Sequence, residues 1–114
     1  MGDLRIPAAG RDLPVYAAEP TGDGPAGGVV VIHDAMGMTA DLRTHVDWLA
    51  GEGFLAAGPD LFSGGRRLAC IRSVMNDVKA GRGRSFEEVE AVRSWLTGHE
   101  RSNGRVGVIG FCMG

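Results

Sequence analysis

Apolar and polar residues alternate along the chain in patterns that predict strands and helices in turn. Residues 28–33 form a continuous apolar run rich in β-branched side chains, typical of a strand buried on both faces of a parallel sheet. Apolar side chains then recur at helical spacing from residue 42 to residue 50, with Thr39 as the expected N-cap and Gly51 and Gly53 as the end of the helix. A short apolar strand follows at residues 54–57. The middle of the chain is therefore predicted to be a strand–helix–strand unit.

Further strands are predicted towards the two ends of the chain. Residues 4–7 and 13–17 flank a polar turn and indicate a β-hairpin. A proline in each of these strands restricts the hairpin to an edge of the sheet. The last predicted strand covers residues 105–110, after a turn at residues 102–104.

Two more helices are predicted between these strands. Residues 68–78 carry apolar side chains at helical spacing. Ser85, followed three residues later by Glu88, fits a capping box that opens another helix, which ends before Gly98. The residues of this helix expected to face inward are Val89, Val92 and Leu96.

Strands that alternate with helices predict an α/β fold. We expect a three-layer sandwich with a mostly parallel sheet and an N-terminal β-hairpin. The 114 residues have room for one domain at most, residues 1–114. The hydrophobic content of 44% argues against disorder, and a net charge of −2 without a basic face argues against nucleic acid as a partner. With neither an apolar run of about 20 residues nor a signal core, we expect a cytoplasmic protein without a membrane partner.

The last five residues, 110–114, spell Gly-Phe-Cys-Met-Gly and fit the pattern G-x-C-x-G. The equivalent pattern with serine is the nucleophile elbow of hydrolases, a sharp turn between a strand and a helix, and here a predicted strand leads into it. Catalysis at such a cysteine requires a thiolate, a base and an oxyanion hole. For the pentapeptide alone, an unreactive cysteine buried at a strand end is an equally good interpretation.

Together with two earlier segments, this motif resembles the dienelactone hydrolase family, a branch of the α/β-hydrolases. The matching segments are residues 30–37, 58–62 and 102–114, and their order and spacing agree with the family over essentially the whole chain. The resemblance implies a partial α/β-hydrolase fold. It also implies hydrolysis of small esters or lactones, as by a carboxymethylenebutenolidase, through a Cys-Asp-His triad without a metal or an organic cofactor.

The resemblance assigns a role to four residues of this sequence. Cys112 matches the nucleophile. Ala35 and Met113 match the positions whose backbone N–H groups form the oxyanion hole. Asp34 matches an acidic position, often Glu in the family, that lies beside the nucleophile and influences its protonation. A structural role in bracing its loop is the alternative for Asp34.

Three parts of the family's site are left without an assigned residue. Some members hold a substrate carboxylate with an arginine that follows the segment matching residues 58–62, and both Arg66 and Arg67 are candidates. The acid and the histidine of the triad follow the nucleophile along the chain in this fold. Since such domains have roughly 200–250 residues, we expect the chain to be the N-terminal portion of one domain, without either residue.

The three histidines and the second cysteine have simpler interpretations. We expect His45 to pack between helix and sheet, His99 to be solvated, and Cys70 to act as a small apolar side chain. Packing at a strand end is favoured for His33 over a role as substitute base. The histidine spacing fits no zinc site, and Asp60 is expected to form a turn.

Two hypotheses of different class follow. The first is a cysteine-dependent hydrolase of small-molecule esters or lactones, of which this chain is a portion. The second is a non-catalytic product, either a truncated remnant or an interaction module that keeps half of the fold. Because the last predicted strand would lack a neighbour on one side, we expect the chain to be poorly stable, to self-associate through this open sheet edge and to have negligible esterase activity.

Overall fold

The computed structural model describes residues 2–8, 10–32, 40–61 and 83–110. The strands of these residues are β1 (Gly2–Ala8), β2 (Arg11–Ala18), β3 (Ala26–Ile32), β4 (Leu55–Pro59) and β5 (Ser102–Gly110), and the helices are α1 (Ala40–Gly51) and α2 (Arg84–Thr97). The helix predicted at residues 68–78 lies outside the described residues.

The described strands form one mixed sheet in the order β1-β2-β4-β3-β5. β1 and β2 form an antiparallel hairpin, and β2 also pairs antiparallel with β4. β3 pairs parallel with β4 on one side and with β5 on the other. The predicted α/β class with an N-terminal hairpin is therefore confirmed.

Alternate residues of the central strands face opposite layers of the molecule. Val30 and Ala57 lie in the apolar cluster beneath α2, whereas Val31 and Ala56 lie in the cluster beneath α1, and all four are fully buried. The helices complete these clusters with Val92 and Leu96 from α2, and Leu42, Val46 and Leu49 from α1. Because β3 is covered on both faces, its sequence is a continuous apolar run, as predicted.

The hairpin differs from its prediction in one respect. β1 lies at the edge of the sheet, but β2 lies between β1 and β4. Pro14 is accommodated in β2 because the ladder with β4 begins one residue later, at Val15. Pro14 contributes only its carbonyl oxygen there, which accepts a hydrogen bond from the N–H of Asp60 at 2.9 Å.

The start of α2 also differs from its prediction. The helix begins at Arg84, with Gly83 at the N-cap position, and no side-chain hydrogen bond caps it. The predicted capping box of Ser85 and Glu88 is therefore wrong. Gly83 has a φ of 127°, a conformation that favours glycine, and it starts the helix ahead of Ser85. Glu88 instead lies on the buried face of α2 and is 1% exposed.

The turn predicted at residues 102–104 lies inside β5, which begins at Ser102. Gly104 has a positive φ of 86°, and its N–H donates a hydrogen bond to the Ser102 hydroxyl at 3.0 Å. The ladder to β3 is irregular at this point, between Ala26 and Gly28. The local turn preference is thus expressed as a bulge within a longer strand.

Gly28 sets the approach of α2. A Cβ atom at this position would lie 3.4 Å from the Cβ of Leu96 and 3.1 Å from Cγ2 of Val106. Leu96 belongs to the last turn of α2, and Gly28 lies near the start of β3. The C-terminal turn of α2 therefore lies against the amino end of β3.

Arg101 ties the start of β5 to the glycine-rich loop between β2 and β3. Its guanidinium donates hydrogen bonds to the carbonyl oxygens of Pro20 at 3.1 Å, Gly22 at 2.7 Å and Gly24 at 3.2 Å. One side chain thus satisfies three carbonyl groups of a loop that lies between two strands. These bonds hold the amino end of the sheet together.

Replacing Arg101 with Lys should lower the free energy of unfolding by about 1–2 kcal/mol, because an ammonium group lacks the planar fork that reaches all three carbonyls. Urea unfolding followed by circular dichroism measures this change. The matched control is Arg93→Lys, since Arg93 pairs with Glu90 on the exposed surface of α2, where such a pair contributes about 0.5 kcal/mol or less. Equal losses in the two variants would contradict the role given to Arg101.

Candidate active site at the carboxyl edge of the sheet

The parallel strands end at one edge of the sheet. β3 ends at Ile32 and β5 at Gly110, and these two residues are direct partners in the ladder. From β3 the chain proceeds through α1 to β4 on one side, and it later crosses to β5 on the other side of β3. The two helices cover opposite faces of the sheet. Such a reversal of winding marks the place where open α/β sheets bind ligands, outside the carboxyl ends of the strands.

The residues predicted to form the active site lie outside the described residues. They are Cys112 and Asp34, with Ala35 and Met113 for their backbone N–H groups. His33, Cys70 and the candidate substrate-binding residues Arg66 and Arg67 also lie outside the described residues. The described residues fix the points at which two of these segments leave the sheet. Asp34 follows Ile32 by two residues, and Cys112 follows Gly110 by two residues.

His99 lies at the opposite edge of the sheet, between α2 and β5. Its ring packs edge-on against Trp95, with the ring centroids 5.6 Å apart. Its Nδ1 accepts a hydrogen bond from the N–H of Arg101 at 3.1 Å, and its Nε2 lies 3.7 Å from a carboxylate oxygen of Glu19. The side chain is 13% exposed, so the prediction of a solvated His99 is wrong. The loop folds back against α2 instead of extending into solvent.

A cleft of about 340 Å³ lies beside β1 and β2. Its lining residues are Asp3, Leu4, Arg5, Pro14, Arg43 and Asp60. Arg43 pairs with Asp3 at 3.2 Å and lies over the ring of Tyr16, 5.6 Å from its centroid. The Tyr16 hydroxyl donates a hydrogen bond to Asp47 at 2.8 Å. Arg43 and Asp3 are therefore already paired with each other along this cleft, and β4 and β3 separate β2 from β5.

Sequence reasoning placed Glu88 in a capping box and missed its burial. It is the one buried charged side chain among the residues that the structure describes. It precedes Val92 by four positions and Leu96 by eight, and both of these are fully buried. This helical spacing is the signal in the sequence that places Glu88 on the apolar face of α2.

The described parts of the chain contain neither a membrane-spanning helix nor a group of metal-binding side chains. Neither α1 nor α2 is long and apolar enough to cross a membrane. Within residues 2–8, 10–32, 40–61 and 83–110, no three His, Cys, Asp or Glu side chains are grouped so that they would hold a metal ion.

Solved structures share this fold, which is that of the α/β-hydrolases. A protein from Klebsiella pneumoniae subsp. pneumoniae MGH 78578, assigned to the dienelactone hydrolases, superposes with a TM-score of 0.79. The superposition covers 99% of this chain and 50% of the Klebsiella chain, at 28% sequence identity. The model of the dienelactone hydrolase family matches residues 13–114. The chain therefore belongs to the dienelactone hydrolase family.

Curated relatives carry the name carboxymethylenebutenolidase. The enzyme of that name from Pseudomonas putida is 29% identical over 103 residues, which cover 79% of this chain and 42% of the relative. A protein from Escherichia coli (strain K12), assigned the same activity, is 29% identical over 119 residues, which cover 99% of this chain and 44% of the relative. The chain thus spans less than half the length of these relatives.

The hydrogen bond to Asp47 raises the pKa of Tyr16 above its usual value, because it holds the phenol proton. Asp47→Asn should therefore lower the pKa of Tyr16, since it replaces the carboxylate that accepts this bond and repels the phenolate. Tyr16 is the single tyrosine of the chain, so phenolate absorbance against pH reports it alone. Asp41→Asn, in the first turn of the same helix, is the control. An unchanged titration in Asp47→Asn would contradict the hydrogen bond.

Proposed function

We propose that the chain forms the nucleophile-bearing half of a hydrolase that acts on small esters or lactones through Cys112, as a carboxymethylenebutenolidase does. The observation that carries this proposal is the pairing of Ile32 with Gly110 at the ends of β3 and β5. Family membership and the names of the relatives support the same class of reaction.

β3 and β5 end in register, and this sets the geometry of the proposed site. Successive Cα atoms are about 3.8 Å apart, so Asp34 and Cys112 each lie within about 8 Å of a strand end. Neighbouring strands are about 4.8 Å apart. Two segments that leave adjacent strands at the same level are well placed to contribute one N–H group each to a shared oxyanion hole. In this proposal the two donors are the backbone amides of Ala35 and Met113.

The proposed reaction has two stages. The thiolate of Cys112 attacks the carbonyl carbon, an S–C bond forms, and the negative charge that develops on the carbonyl oxygen is held by the two amides. Collapse of this intermediate breaks the C–O bond of the ester, and the leaving alkoxide takes a proton from water or from the protonated form of the base that completes the site. Water then attacks the thioester, releases the carboxylic acid and restores the thiol.

Asp34 is proposed to influence the protonation of Cys112. An ionised carboxylate beside the sulfur disfavours the thiolate, because two like charges at close range repel each other. The thiolate of Cys112 is therefore favoured when Asp34 is neutral or when its carboxylate points away from the sulfur. Asp34 then acts on the charge state of the nucleophile and has no role in attacking the substrate.

The base that completes the cycle is proposed to lie outside these 114 residues. Of the described histidines, His99 is at the amino edge of the sheet, and His45 is half-buried on α1. In this fold the triad acid and histidine follow the nucleophile, and the relatives are more than twice as long as the segment that they share with this chain. The chain alone is accordingly expected to be acylated but not to turn over.

Two reagents distinguish a cysteine that lies beside an oxyanion hole from a cysteine that is merely exposed to solvent. Acetylation by p-nitrophenyl acetate passes through an oxyanion, whereas alkylation by iodoacetamide does not. Cys70, the other cysteine of the chain, is the internal reference. We expect the rate ratio of Cys112 to Cys70 to be at least about 10-fold larger for acetylation than for alkylation, by analogy with the loss on removing one oxyanion-hole donor. Peptide mass spectrometry measures both ratios.

Released p-nitrophenolate provides the second readout. The chain should give one equivalent without steady turnover, and Cys112→Ala should remove this burst while Cys70→Ala keeps it. Equal ratios for the two reagents would contradict the oxyanion hole. Steady turnover that Cys112→Ala abolishes would contradict the placement of the base elsewhere.

A second candidate is a non-catalytic interaction module, and the exposed strand β5 favours it. β5 ends the order of the described sheet, with Val108 59% exposed and Ile109 36% exposed. A bare strand edge with apolar side chains is a template for pairing with another chain. Sedimentation of the purified chain should therefore show self-association. A stable monomer would contradict this candidate.

A further inference from the structure

Asn103 and Gly104 form the one Asn-Gly pair of the sequence, and both residues are exposed in β5. The ladder to β3 is in register at Ser102 and again from Val106 onwards. The residues between these two points stand opposite a single residue of β3, so they form a bulge. The ladder therefore does not fix the backbone of the Asn-Gly pair, which faces water.

An asparagine that precedes a glycine is open to a reaction with the next peptide group. The backbone nitrogen of the glycine is the nucleophile, and Cγ of the asparagine is the electrophile. A side chain on the following residue would crowd the ring that forms. Where a Cβ atom of Gly104 would lie, no atom of the described residues comes within 4 Å, and the φ of 86° favours glycine. The approach of this nitrogen to Asn103 is thus unhindered on that side.

Two hydrogen bonds polarise the reacting groups in the direction that this reaction needs. The N–H of Arg105 donates to Oδ1 of Asn103 at 2.9 Å. Negative charge develops on this oxygen when its carbon is attacked, and a fixed donor stabilises such charge. The N–H of Gly104 donates to the hydroxyl oxygen of Ser102 at 3.0 Å. This acceptor draws the proton away from the nitrogen that has to lose it.

The hydrogen bond to Ser102 leaves the attacking electron pair free. A peptide group is planar, and its N–H bond lies in the plane. The electrons of the nitrogen that form the new bond to Cγ are perpendicular to this plane. The Ser102 hydroxyl therefore accepts the proton of Gly104 while one face of the nitrogen stays open to Asn103.

We propose that Asn103 is a modification site, at which the folded chain converts asparagine to aspartate and isoaspartate without an enzyme. The nitrogen of Gly104 bonds to Cγ of Asn103 and gives up its proton, and the side-chain amide group leaves with that proton as ammonia. Water then opens the resulting succinimide at one of its two carbonyl carbons. One opening gives aspartate, and the other gives isoaspartate, which lengthens the main chain by one carbon.

The bulge accommodates the longer main chain of isoaspartate. It already separates two in-register parts of the ladder, so the pairing from Val106 to Gly110 does not depend on the backbone length before it. The modified chain should therefore keep its fold, with a new negative charge at position 103. The reaction requires neither Cys112 nor the proposed hydrolysis.

Ageing of the purified 114-residue chain in neutral buffer tests the proposal. Peptide mass spectrometry follows the conversion of Asn103, with Asn76, which precedes an aspartate, as the internal reference. The same chain in guanidinium chloride gives the rate of the unfolded sequence. We expect Asn103 to convert at least as fast in the folded chain as in the unfolded chain. Digestion with an endoproteinase that cleaves before aspartate but not before isoaspartate should reveal both products.

Three variants test the part played by the hydroxyl group. Ser102→Ala should slow the conversion about 5-fold in the folded chain, the effect of one lost hydrogen bond, and leave the rate in guanidinium chloride unchanged. Ser102→Thr keeps the hydroxyl and should keep the wild-type rate. Ser94→Ala, the same change as Ser102→Ala but on the exposed surface of α2, is the control. Circular dichroism verifies that each variant is folded.

Slower conversion in the folded chain than in guanidinium chloride would show that the fold protects the Asn-Gly pair, and it would overturn the proposal. The same conclusion follows if Ser102→Ala leaves the rate in the folded chain unchanged or raises it. Aspartate as the sole product would refute the succinimide route, because direct hydrolysis of the side chain gives no isoaspartate.

Discussion

The parallel ladder between β3 and β5 is the interaction on which the rest of the molecule depends. It runs from Gly28 and Val106 to Ile32 and Gly110, and it joins segments that are far apart in sequence. Because the ladder ends in register, the chain leaves both strands at one level. The proposed nucleophile and the proposed oxyanion loop each begin within two residues of that point, so their separation is set mainly by the spacing of neighbouring strands.

α2 packs against one face of this ladder, and the chemistry of its buried residues changes along the helix. At the amino end of β3, Leu96 packs against Gly28, where an added Cβ atom would lie 3.4 Å from Leu96 and 3.1 Å from Val106. The fully buried Val92 continues this apolar contact. One turn closer to the N-terminus of α2, the apolar series is broken by Glu88. A buried carboxylate is costly unless it is hydrogen-bonded, and no buried side-chain oxygen of the described residues lacks a partner.

The sequence patterns predicted the strands and helices whose apolar spacing reflects burial. They failed at positions whose structure depends on contacts with residues far away in the sequence. β3 and the inward face of α2 were predictable because their apolar spacing reflects the layers above and below them. The contact of His99 with Glu19 and the place of Pro14 inside the sheet were not, since each depends on a segment remote in sequence. The family of the chain was recognisable from its motifs, whereas the roles given to Asp34, Ala35, Cys112 and Met113 stay predictions.

An experimental structure of the chain acetylated at Cys112 tests the central claim most directly, since without a base the thioester should accumulate. The thioester oxygen should lie about 2.7–3.1 Å from the backbone nitrogens of both Ala35 and Met113. Ile32 and Gly110 should remain partners in the ladder. A thioester oxygen that faces solvent, with the two nitrogens too far apart to share one oxygen, would contradict the account.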